Sequence, residues 1–566
     1  TAMGYAAGLL VTTGIYNTLI GGLAGDAITD ADYNVALGYN ALSTNQLGSS
    51  SVAIGSGALA TQNPASAASM LNVAVGQDAG TSITTGSLNT LIGGLAGDAL
   101  TVGEKNVTLG YTALGSDTKG NKSTALGYAA LNAQNFTSAT DAFNTAVGFE
   151  AGGAITTGFS NTVVGGLALD AQTTGDYNVA LGVLALSADT TGNKATGLGY
   201  GALAAQNVTD SADTFNTAVG FSAGAAVTTG IENTLIGASA GDALGVAYSN
   251  VAVGFEALTT DVNGRSSTAI GTQALKTQNY GSSTHSYNTA VGMQSGMSVT
   301  TGIENTLIGG LAGDALTDAD SNVAIGLYAL TSDTLGSRAV AIGRGALSTQ
   351  NFTSATESYN VAIGYQAGGA ITEGFSNTAI GGLSLDAQTT GDYNVAVGTL
   401  ALSVDTTGNK ATGVGYGALG AQNVTNSADT FNTAVGYAAG SGVTTGVENT
   451  LIGASAGDAL TVGSNNVALG YEALSSETAG DRSVAIGRAA LQVQNNTSNA
   501  DIYNVAIGYG TGESVTTGVQ NTFIGGLSGD ANTTASNNTA VGYSSLGANT
   551  TGASNTALGH NAAANS

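Results

Sequence analysis

The stretch from Asn144 to Phe215 reads NTAVGFEAGGAITTGFS, NTVVGGLALDAQTTGDY, NVALGVLALSADTTGNK and ATGLGYGALAAQNVTDSADTF. The first three pieces have 17 residues and the fourth has 21, so together they form a 72-residue module. Residues 360–431 repeat nearly the same text three modules later. Self-similarity at a fixed period is typical of solenoids and other repeat architectures, so it decides the fold class of this chain.

The register of the repeat holds through residues 1–566. If the Asn of NTAVG is position 0 of each coil, the chain contains 32 coils in eight modules. The sequence therefore predicts one continuous solenoid without a linker. Because the chain begins inside a coil and neither end resembles a polar cap, we interpret it as a fragment of a longer protein. The later modules begin at Asn72, Asn144, Asn216, Asn288, Asn360, Asn432 and Asn504.

Four columns of the repeat carry structural predictions. The Val, Ile, Leu or Met at +3 is predicted to stack into a continuous core. Small residues at +7 indicate a tight corner or a contact with another chain. The Asn at position 0, missing only from the fourth coil, predicts a stacked amide ladder. An invariant Gly at +4 indicates a positive φ or a close backbone approach, as at Gly4, Gly21, Gly38, Gly55, Gly148, Gly165, Gly182 and Gly199.

Each coil opens with a short β-branched segment and reaches a turn signal, often Thr-Thr-Gly, at +12 to +14. This pattern favours strands, and a Gly in each segment would cost a helix about 1 kcal/mol relative to Ala. The sequence predicts an all-β parallel β-solenoid with 17/17/17/21-residue coils. A β-roll of two short strands per coil is favoured, and a three-sided β-helix is the alternative. At ~4.8 Å per coil the predicted rod is about 150 Å long.

Composition excludes several classes of protein. The chain has 87 Gly, one Pro and no Cys or Trp, so it is neither collagen-like nor a disulfide scaffold, and it has no thiolate metal site. With 42% hydrophobic and 8% charged residues, disorder is not expected. A net charge of −26 opposes non-specific binding of nucleic acid. No signal peptide or apolar 18-residue run is visible, so membrane insertion is not predicted.

The motif N-[TV]-A-[VIL]-G-Y-x-A-[LG] occurs at Asn34–Leu42 and Asn466–Leu474. It resembles the NTALGYNAL repeats of phage tail fibres, and Ser51–Gly55 and Ser483–Gly487 resemble the SVAIG cores of trimeric autotransporter adhesin heads. The resemblance covers the whole chain. It implies a left-handed parallel β-roll, a homotrimer, and a structural and adhesive fibre on a virion or a cell surface. Its partner would be a host receptor or glycan. Adhesin coils are usually shorter than 17 residues, which favours the tail fibre.

The second coil of every module has an Asp at +9. A column of carboxylates suggests calcium, but Ca²⁺ takes six to eight oxygen ligands and each module offers one carboxylate here. An Asp that caps a turn is the favoured interpretation, and no metal or cofactor is predicted. The column consists of Asp26, Asp98, Asp170, Asp242, Asp314, Asp386, Asp458 and Asp530.

The 21-residue coils carry loops with fixed ends and variable middles. Loops on a rigid scaffold are frequent binding sites, so these loops are the predicted partner-binding elements, with a tolerated bulge as the alternative. Each ends in Leu, Phe or Tyr, as at Phe143 and Tyr359. Each begins with Gln-Asn: Gln62, Asn63, Gln134, Asn135, Gln206, Asn207, Gln278, Asn279, Gln350, Asn351, Gln422, Asn423, Gln494 and Asn495.

Third coils pair an acid at +11 with a base at +16. We expect the two side chains to meet, across a turn or between chains, in an exposed salt bridge worth ~0–1 kcal/mol, and a binding patch is the alternative. The pairs are Asp117 with Lys122, Asp189 with Lys194, Asp333 with Arg338, Asp405 with Lys410, and Glu477 with Arg482.

Catalysis has little support in the sequence. The two histidines, His285 and His560, lie in unrelated contexts, and no nucleophile elbow, P-loop or zinc motif occurs. The chain is therefore predicted not to be an enzyme. A further alternative is binding of ice or a crystalline glycan by the Thr residues at +12 and +13, but these columns are irregular.

Overall fold

The structure, a computed structural model, describes residues 1–565. These residues form strands, turns and bends, and none of them is helical. The chain forms two compact units, residues 1–287 and residues 288–566. Each unit is a parallel β-solenoid of 17-residue coils, interrupted by the 21-residue coils, which confirms the predicted fold class.

One strand per coil, covering positions +1 to +3, forms a parallel sheet in each unit. The pairing is in register, so that Ala146 lies beside Val163 of the next coil. The sixteen strands of the first unit are Ala2–Met3, Thr18–Ile20, Val35–Leu37, Val52–Ile54, Val73–Val75, Thr90–Ile92, Val107–Leu109, Thr124–Leu126, Thr145–Val147, Thr162–Val164, Val179–Leu181, Thr196–Leu198, Thr217–Val219, Thr234–Ile236, Val251–Val253 and Thr268–Ile270.

The second unit repeats this arrangement with the same register, as Ala362 beside Ala379 shows. Its sixteen strands are Thr289–Val291, Thr306–Ile308, Val323–Ile325, Val340–Ile342, Val361–Ile363, Thr378–Ile380, Val395–Val397, Thr412–Val414, Thr433–Val435, Thr450–Ile452, Val467–Leu469, Val484–Ile486, Val505–Ile507, Thr522–Ile524, Thr539–Val541 and Thr556–Leu558.

A second strand, two residues long, forms only between the third and fourth coils of some modules. Elsewhere the coil runs through turns whose backbone groups bond to the neighbouring coils, as in Thr156 N–H to Thr173 O at 2.9 Å. These short strands tie four of the 21-residue loops to the preceding coil, and single bridges do the same at Asn193–Asp213, Asn409–Asp429 and Asp481–Asp501. The pairs are Gly48–Ser49 with Ala68–Ser69, Gly120–Asn121 with Thr140–Asp141, Gly264–Arg265 with Thr284–His285, and Gly336–Ser337 with Thr356–Glu357.

The core of each unit is built from positions +2, +7, +8 and +11, as in Ala146, Ala151 and Ile155, which have no exposed surface. The prediction that +3 forms the core is wrong for the single chain. Side chains alternate across a strand, so +2 points inward and +1 and +3 point outward. Leu109, at +3, is 53% exposed.

The Asn at position 0 forms the predicted ladder. Asn89 Oδ1 accepts the backbone N–H of Asn106 at 3.0 Å, and Asn89 Nδ2 donates to Gly103 O at 2.9 Å. Both Asn side chains are fully buried. Each amide therefore joins one coil to the next and closes its own turn, which satisfies backbone groups that would otherwise be buried without partners.

The small columns at +4 and +7 are accounted for inside one chain. Gly381, at +4, has φ +132°, and an added Cβ would lie 2.6 Å from the backbone carbon of Gly398. The Ala at +7, such as Ala151, is buried by its own chain. Both reasons predicted for the invariant Gly are therefore present. Neither column needs a second chain to explain its small residues.

Candidate functional site

The loops of the 21-residue coils are anchored at both ends, as residues 134–143 illustrate. Asn135 donates its backbone N–H to Thr156 O at 2.9 Å, and its Oδ1 accepts Thr118 Oγ1 at 3.0 Å. The ring of Phe136 is buried, as is Ala142. Asn135, residues 137–139, Asp141 and the terminal Phe143 are exposed. The variable part of each loop is thus a short tip on a fixed base.

The seven Gln residues predicted to contact a partner are fully buried. Gln134 Nε2 donates to Asp117 Oδ2 at 2.5 Å and to Ser123 Oγ at 2.9 Å, and its Oε1 accepts Asn144 Nδ2 at 2.8 Å. In the fourth coil, which lacks the Asn at position 0, the Gln side chain therefore continues the hydrogen-bonded ladder of buried amides. A partner cannot reach it. The residues of the loop that could contact a partner are therefore the Asn at the loop base and the exposed residues of the tip.

The acid and base of a third coil do not meet, contrary to the prediction. Asp117 is fully buried, and its Oδ1 accepts the N–H of Gly120 at 2.9 Å. Lys122 pairs instead with Asp141, in the loop of the next coil, at 2.6 Å. The sequence spacing could not show this, because the partner is 19 residues away. The equivalent pairs are Lys194 with Asp213, Arg338 with Glu357, Lys410 with Asp429, and Arg482 with Asp501.

The base also covers the aromatic residue that ends the loop. Lys122 Nζ lies 4.9 Å from the ring centroid of Phe143, and Lys410 Nζ lies 5.2 Å from that of Phe431. Such cation–π contacts contribute about 0.5–1 kcal/mol at exposed sites. The loop is therefore held by an ion pair and a cation–π contact as well as by its backbone.

The Asp column at +9 does not assemble an ion site. Successive members are separated by four coils, ~19 Å at the strand spacing, so they cannot share one ion. Asp170 lines a surface cleft of about 370 Å³ with Asn132 and Glu150. Burial raises the pKa of Asp170, and the charge of Glu150 raises it further. Within residues 1–565 no group of three or more His, Cys, Asp or Glu side chains has metal-site geometry.

Buried carboxyl groups at +11 of the third coil are held in the core by hydrogen bonds. Asp405 Oδ1 accepts Gly408 N–H at 3.0 Å, and its Oδ2 accepts Gln422 Nε2 at 2.5 Å. Burial raises the pKa of Asp189, Asp261 and Asp405, although these hydrogen bonds lower it in part. In the first module Asn45 stands at this position and closes the same turn through Gly48.

This geometry predicts the pH dependence of stability. A carboxyl whose folded pKa is raised stabilises the fold most below its unfolded pKa, and that stability is lost as pH rises through the folded pKa. We therefore expect the thermal midpoint to decrease as the pH rises from ~4, close to the ordinary pKa of Asp, to 7. The triple variant Asp189→Asn, Asp261→Asn and Asp405→Asn should have a smaller fall and a higher midpoint at pH 7. Differential scanning calorimetry at both pH values measures this.

The prediction has an internal comparison, because Asn45 is the natural example of the substitution. Asp141 and Asp429 act in the opposite direction, since hydrogen bonding to Lys122 and Lys410 lowers their pKa, but both are exposed. A triple variant that is much less stable at pH 7 would contradict the expectation. It would mean that the ionised carboxylates stabilise the turn by more than their desolvation costs.

One module departs from the repeat near His285. Its Nδ1 lies 3.1 Å from Ser266 Oγ, and its Nε2 lies 3.5 Å from the hydroxyl of Tyr248. A catalytic triad needs a carboxylate on the second ring nitrogen, so this contact is not a triad. The guanidinium carbon of Arg265 lies 3.9 Å from the ring centroid of Tyr248. The departure from the repeat is therefore a packed cluster of Tyr248, Arg265 and His285.

The Thr residues at +12 are used inside the fold. Thr156 Oγ1 donates to Thr173 O at 3.0 Å, and Thr173 Oγ1 donates to Thr190 O at 2.9 Å. These hydroxyl donors already form a ladder with backbone carbonyls. They are poorly placed to order external water or a crystalline glycan.

Among residues 1–565 there is no helix long and apolar enough to cross a membrane. No protein-family model matches the chain, and comparison with curated proteins finds no relative.

The outward-facing apolar surface of the sheet was not predicted from the sequence. The sequence signal for this surface was the alternation of side chains along a strand, which places positions +1 and +3 on one side of the sheet and +2 on the other.

Proposed function

We propose that the chain is the shaft of a homotrimeric fibre, a phage tail fibre, that attaches a virion to its host. The observation that carries this proposal is the outer face of the sheet. Position +1 is Thr or Val and +3 is Val, Ile, Leu or Met in all 32 coils, and no charged residue occurs at either. The excess acidic charge lies elsewhere, so like copies can approach through this face.

The size of the face supports contact between chains. Sixteen strands at ~4.8 Å give a strip ~75 Å long, and three residues at ~3.3 Å make it roughly 8–10 Å wide. The resulting area, roughly 600–750 Å² per unit and formed by Thr or Val at +1 and by apolar residues at +3, approaches the ~800 Å² per partner of a stable interface. Sedimentation of the purified chain as a trimer is expected, and a stable monomer would refute the proposal.

Repeats of the NTALGYNAL type support the tail fibre over a bacterial adhesin head, which is the second candidate. Both assignments place the protein outside the cell and give it a receptor or glycan as partner. No membrane insertion, nucleic acid or cofactor is part of the proposal. The solenoid itself supplies length and rigidity, and the loops supply the variable sequence.

Shortening the loops tests whether they bind the host. Deleting residues 137–140 and the corresponding four in the other six 21-residue coils restores a 17-residue coil. It keeps the anchors at Asn135, Phe136 and Ala142 and removes Thr140 of the short strand. We expect attachment of labelled fibre to host cells to fall at least tenfold, because repeated weak contacts gain ~10²–10⁴ by avidity. A flow-cytometry binding curve measures it.

The matched control replaces the same exposed residues by Gly and Ser without changing loop length. It should lose attachment to a similar extent if side chains at the tips are recognised. A shortened fibre that still forms trimers and attaches undiminished would place recognition in another part of the virion protein.

A further inference from the structure

A row of exposed side chains at +5 runs beside the sheet. Many are aromatic and stack on one another from coil to coil, as in Tyr111–Tyr128 at 5.9 Å and Tyr128–Phe149 at 5.3 Å between ring centroids. In the second coil of every module this position is Gly or Ala. The row therefore lacks one rung per module, and we call each gap a slot. The slots lie at Gly22, Gly94, Gly166, Ala238, Gly310, Gly382, Ala454 and Gly526.

The fold of the chain does not require so small a residue in the slots. A Cβ added at Gly382 would have no heavy atom within 4 Å, and one added at Gly166 would lie 3.9 Å from the nearest atom. Neither residue has a positive φ, in contrast to Gly381. Ala238 and Ala454 already place a Cβ there. At Gly166 and Gly382 this space is therefore open to a group from outside the chain. At Gly22, Gly94, Gly310 and Gly526 an added Cβ would lie 3.3–3.6 Å from the +5 side chain of the next coil, which partly covers the slot.

A complementary feature occurs with the same period. The last residue of each 21-residue coil is a Leu, Phe or Tyr that is between 47% and 57% exposed. Its φ lies between 49° and 55°, a conformation that costs a bulky residue roughly 1–2 kcal/mol. Local structure thus disfavours a large apolar side chain here. We call these residues knobs: Leu71, Phe143, Phe215, Tyr287, Tyr359, Phe431 and Tyr503.

A knob cannot fill a slot of its own chain. The knob precedes the strand and the slot follows it, so about six residues, roughly 15–20 Å, separate the two edges of the sheet. In a cyclic trimer the contact between neighbours is head-to-tail, so the edge with the knobs of one copy meets the edge with the slots of the next. Tyr359 ends the last coil before Asn360, and Gly382 lies in the second coil of the module that begins at Asn360, between one and two coils further along the chain.

We propose that the knobs of one copy insert into the slots of the neighbouring copy, with the ring of Tyr359 placed over Gly382. This inference rests on the proposed trimer and adds the contact that fixes its axial register. One missing rung leaves ~9.6 Å between its flanking rungs, which is room for one flat ring. At Gly382 the flanking side chains are Tyr365 and Thr399, and at Ala238 they are Phe221 and Phe255.

The chain has no Cys, so an introduced thiol reports on the slot. In the variant Gly382→Cys, the rate of modification by a maleimide is measured on the assembled protein and divided by the rate in guanidinium chloride. The reference is Ser354→Cys, at an exposed loop tip. We expect the normalised rate at position 382 to be at least tenfold lower than at position 354. Adding Tyr359→Ala should restore it while sedimentation still shows a trimer.

The outcomes separate this inference from the proposed function. A trimer whose thiol at position 382 reacts as fast as the one at position 354 has empty slots and overturns the inference alone. A monomer by sedimentation overturns the proposed assembly and the inference with it. Protection that persists with Tyr359→Ala overturns the assignment of the knob. Protection that appears only after addition of host polysaccharide assigns the slot to a glycan and also overturns the inference.

Discussion

Replacing Gly381 by Ala is expected to lower the free energy of unfolding by about 3 kcal/mol or more. A residue with φ +132° lies in a region that only Gly adopts readily, which costs ~1–3 kcal/mol. The new Cβ would also lie 2.6 Å from the backbone carbon of Gly398, and such overpacking typically costs ~1–3 kcal/mol. Urea unfolding followed by circular dichroism at pH 7 measures the change.

The matched control is the adjacent residue. Gly382→Ala should leave stability unchanged or raise it by up to ~1 kcal/mol, because within its own chain its Cβ meets no other atom, the slots at Ala238 and Ala454 already hold a Cβ, and Ala lowers the entropy of the unfolded chain. Replacing Gly364 by Val, together with Gly381 and Gly398, should separate the coils and disrupt assembly. Equal effects of Ala at positions 381 and 382 would show that the close contact between the coils does not limit the fold.

Lysine on the outer face of the sheet is expected to convert the proposed trimer to monomer without unfolding the chain. The variant carries one Lys at +3 in the first coil of seven modules, in place of Val75, Val147, Val219, Val291, Ile363, Val435 and Ile507. These side chains point outward and are partly exposed in the single chain, so the solenoid tolerates them. Burying an unpaired charge between chains costs several kcal/mol at each site, which weakens association by more than ~100-fold.

Sedimentation equilibrium and circular dichroism together measure that result. The control carries the same seven charges at exposed loop tips, in place of Ala65, Thr137, Thr209, Ser282, Thr353, Thr425 and Thr497. The control should remain a trimer. If the face variant also remains a trimer, the apolar face is not the contact between copies.

The period and the conserved columns allowed much of the fold to be predicted. The Gly at +4 and the Asn at position 0 have the roles expected of them, because both depend on backbone geometry that repeats with every coil. The +3 column was assigned to the wrong side of the strand. A regular apolar column indicates that its side chains are buried. It does not indicate whether they are buried in the coil interior or against another chain.

The candidate site was less predictable. The loop boundaries were visible in the sequence, whereas the burial of Gln134 and its bond to Asp117 were not. The partner of Lys122 was assigned to its own coil, although it lies in the next one. The hydrogen-bond or ion-pair partner of a side chain depends on which positions of adjacent coils lie beside each other. The width of the coil and the path of the longer loop determine that alignment.

The sequence by itself determined that the chain is a parallel solenoid of 17- and 21-residue coils, because hydrogen bonds between coils require only that the same backbone conformation recur at a fixed period. Tertiary structure decided which side of each strand is inside. Successive side chains of a strand point to opposite sides, so +2 fills the coil interior, with Ala in most coils but Leu91 and Phe523 in second coils, and the side chains at +3 are left on the surface. It also decided which polar groups meet across coils, because a hydrogen bond requires a distance that sequence spacing does not specify.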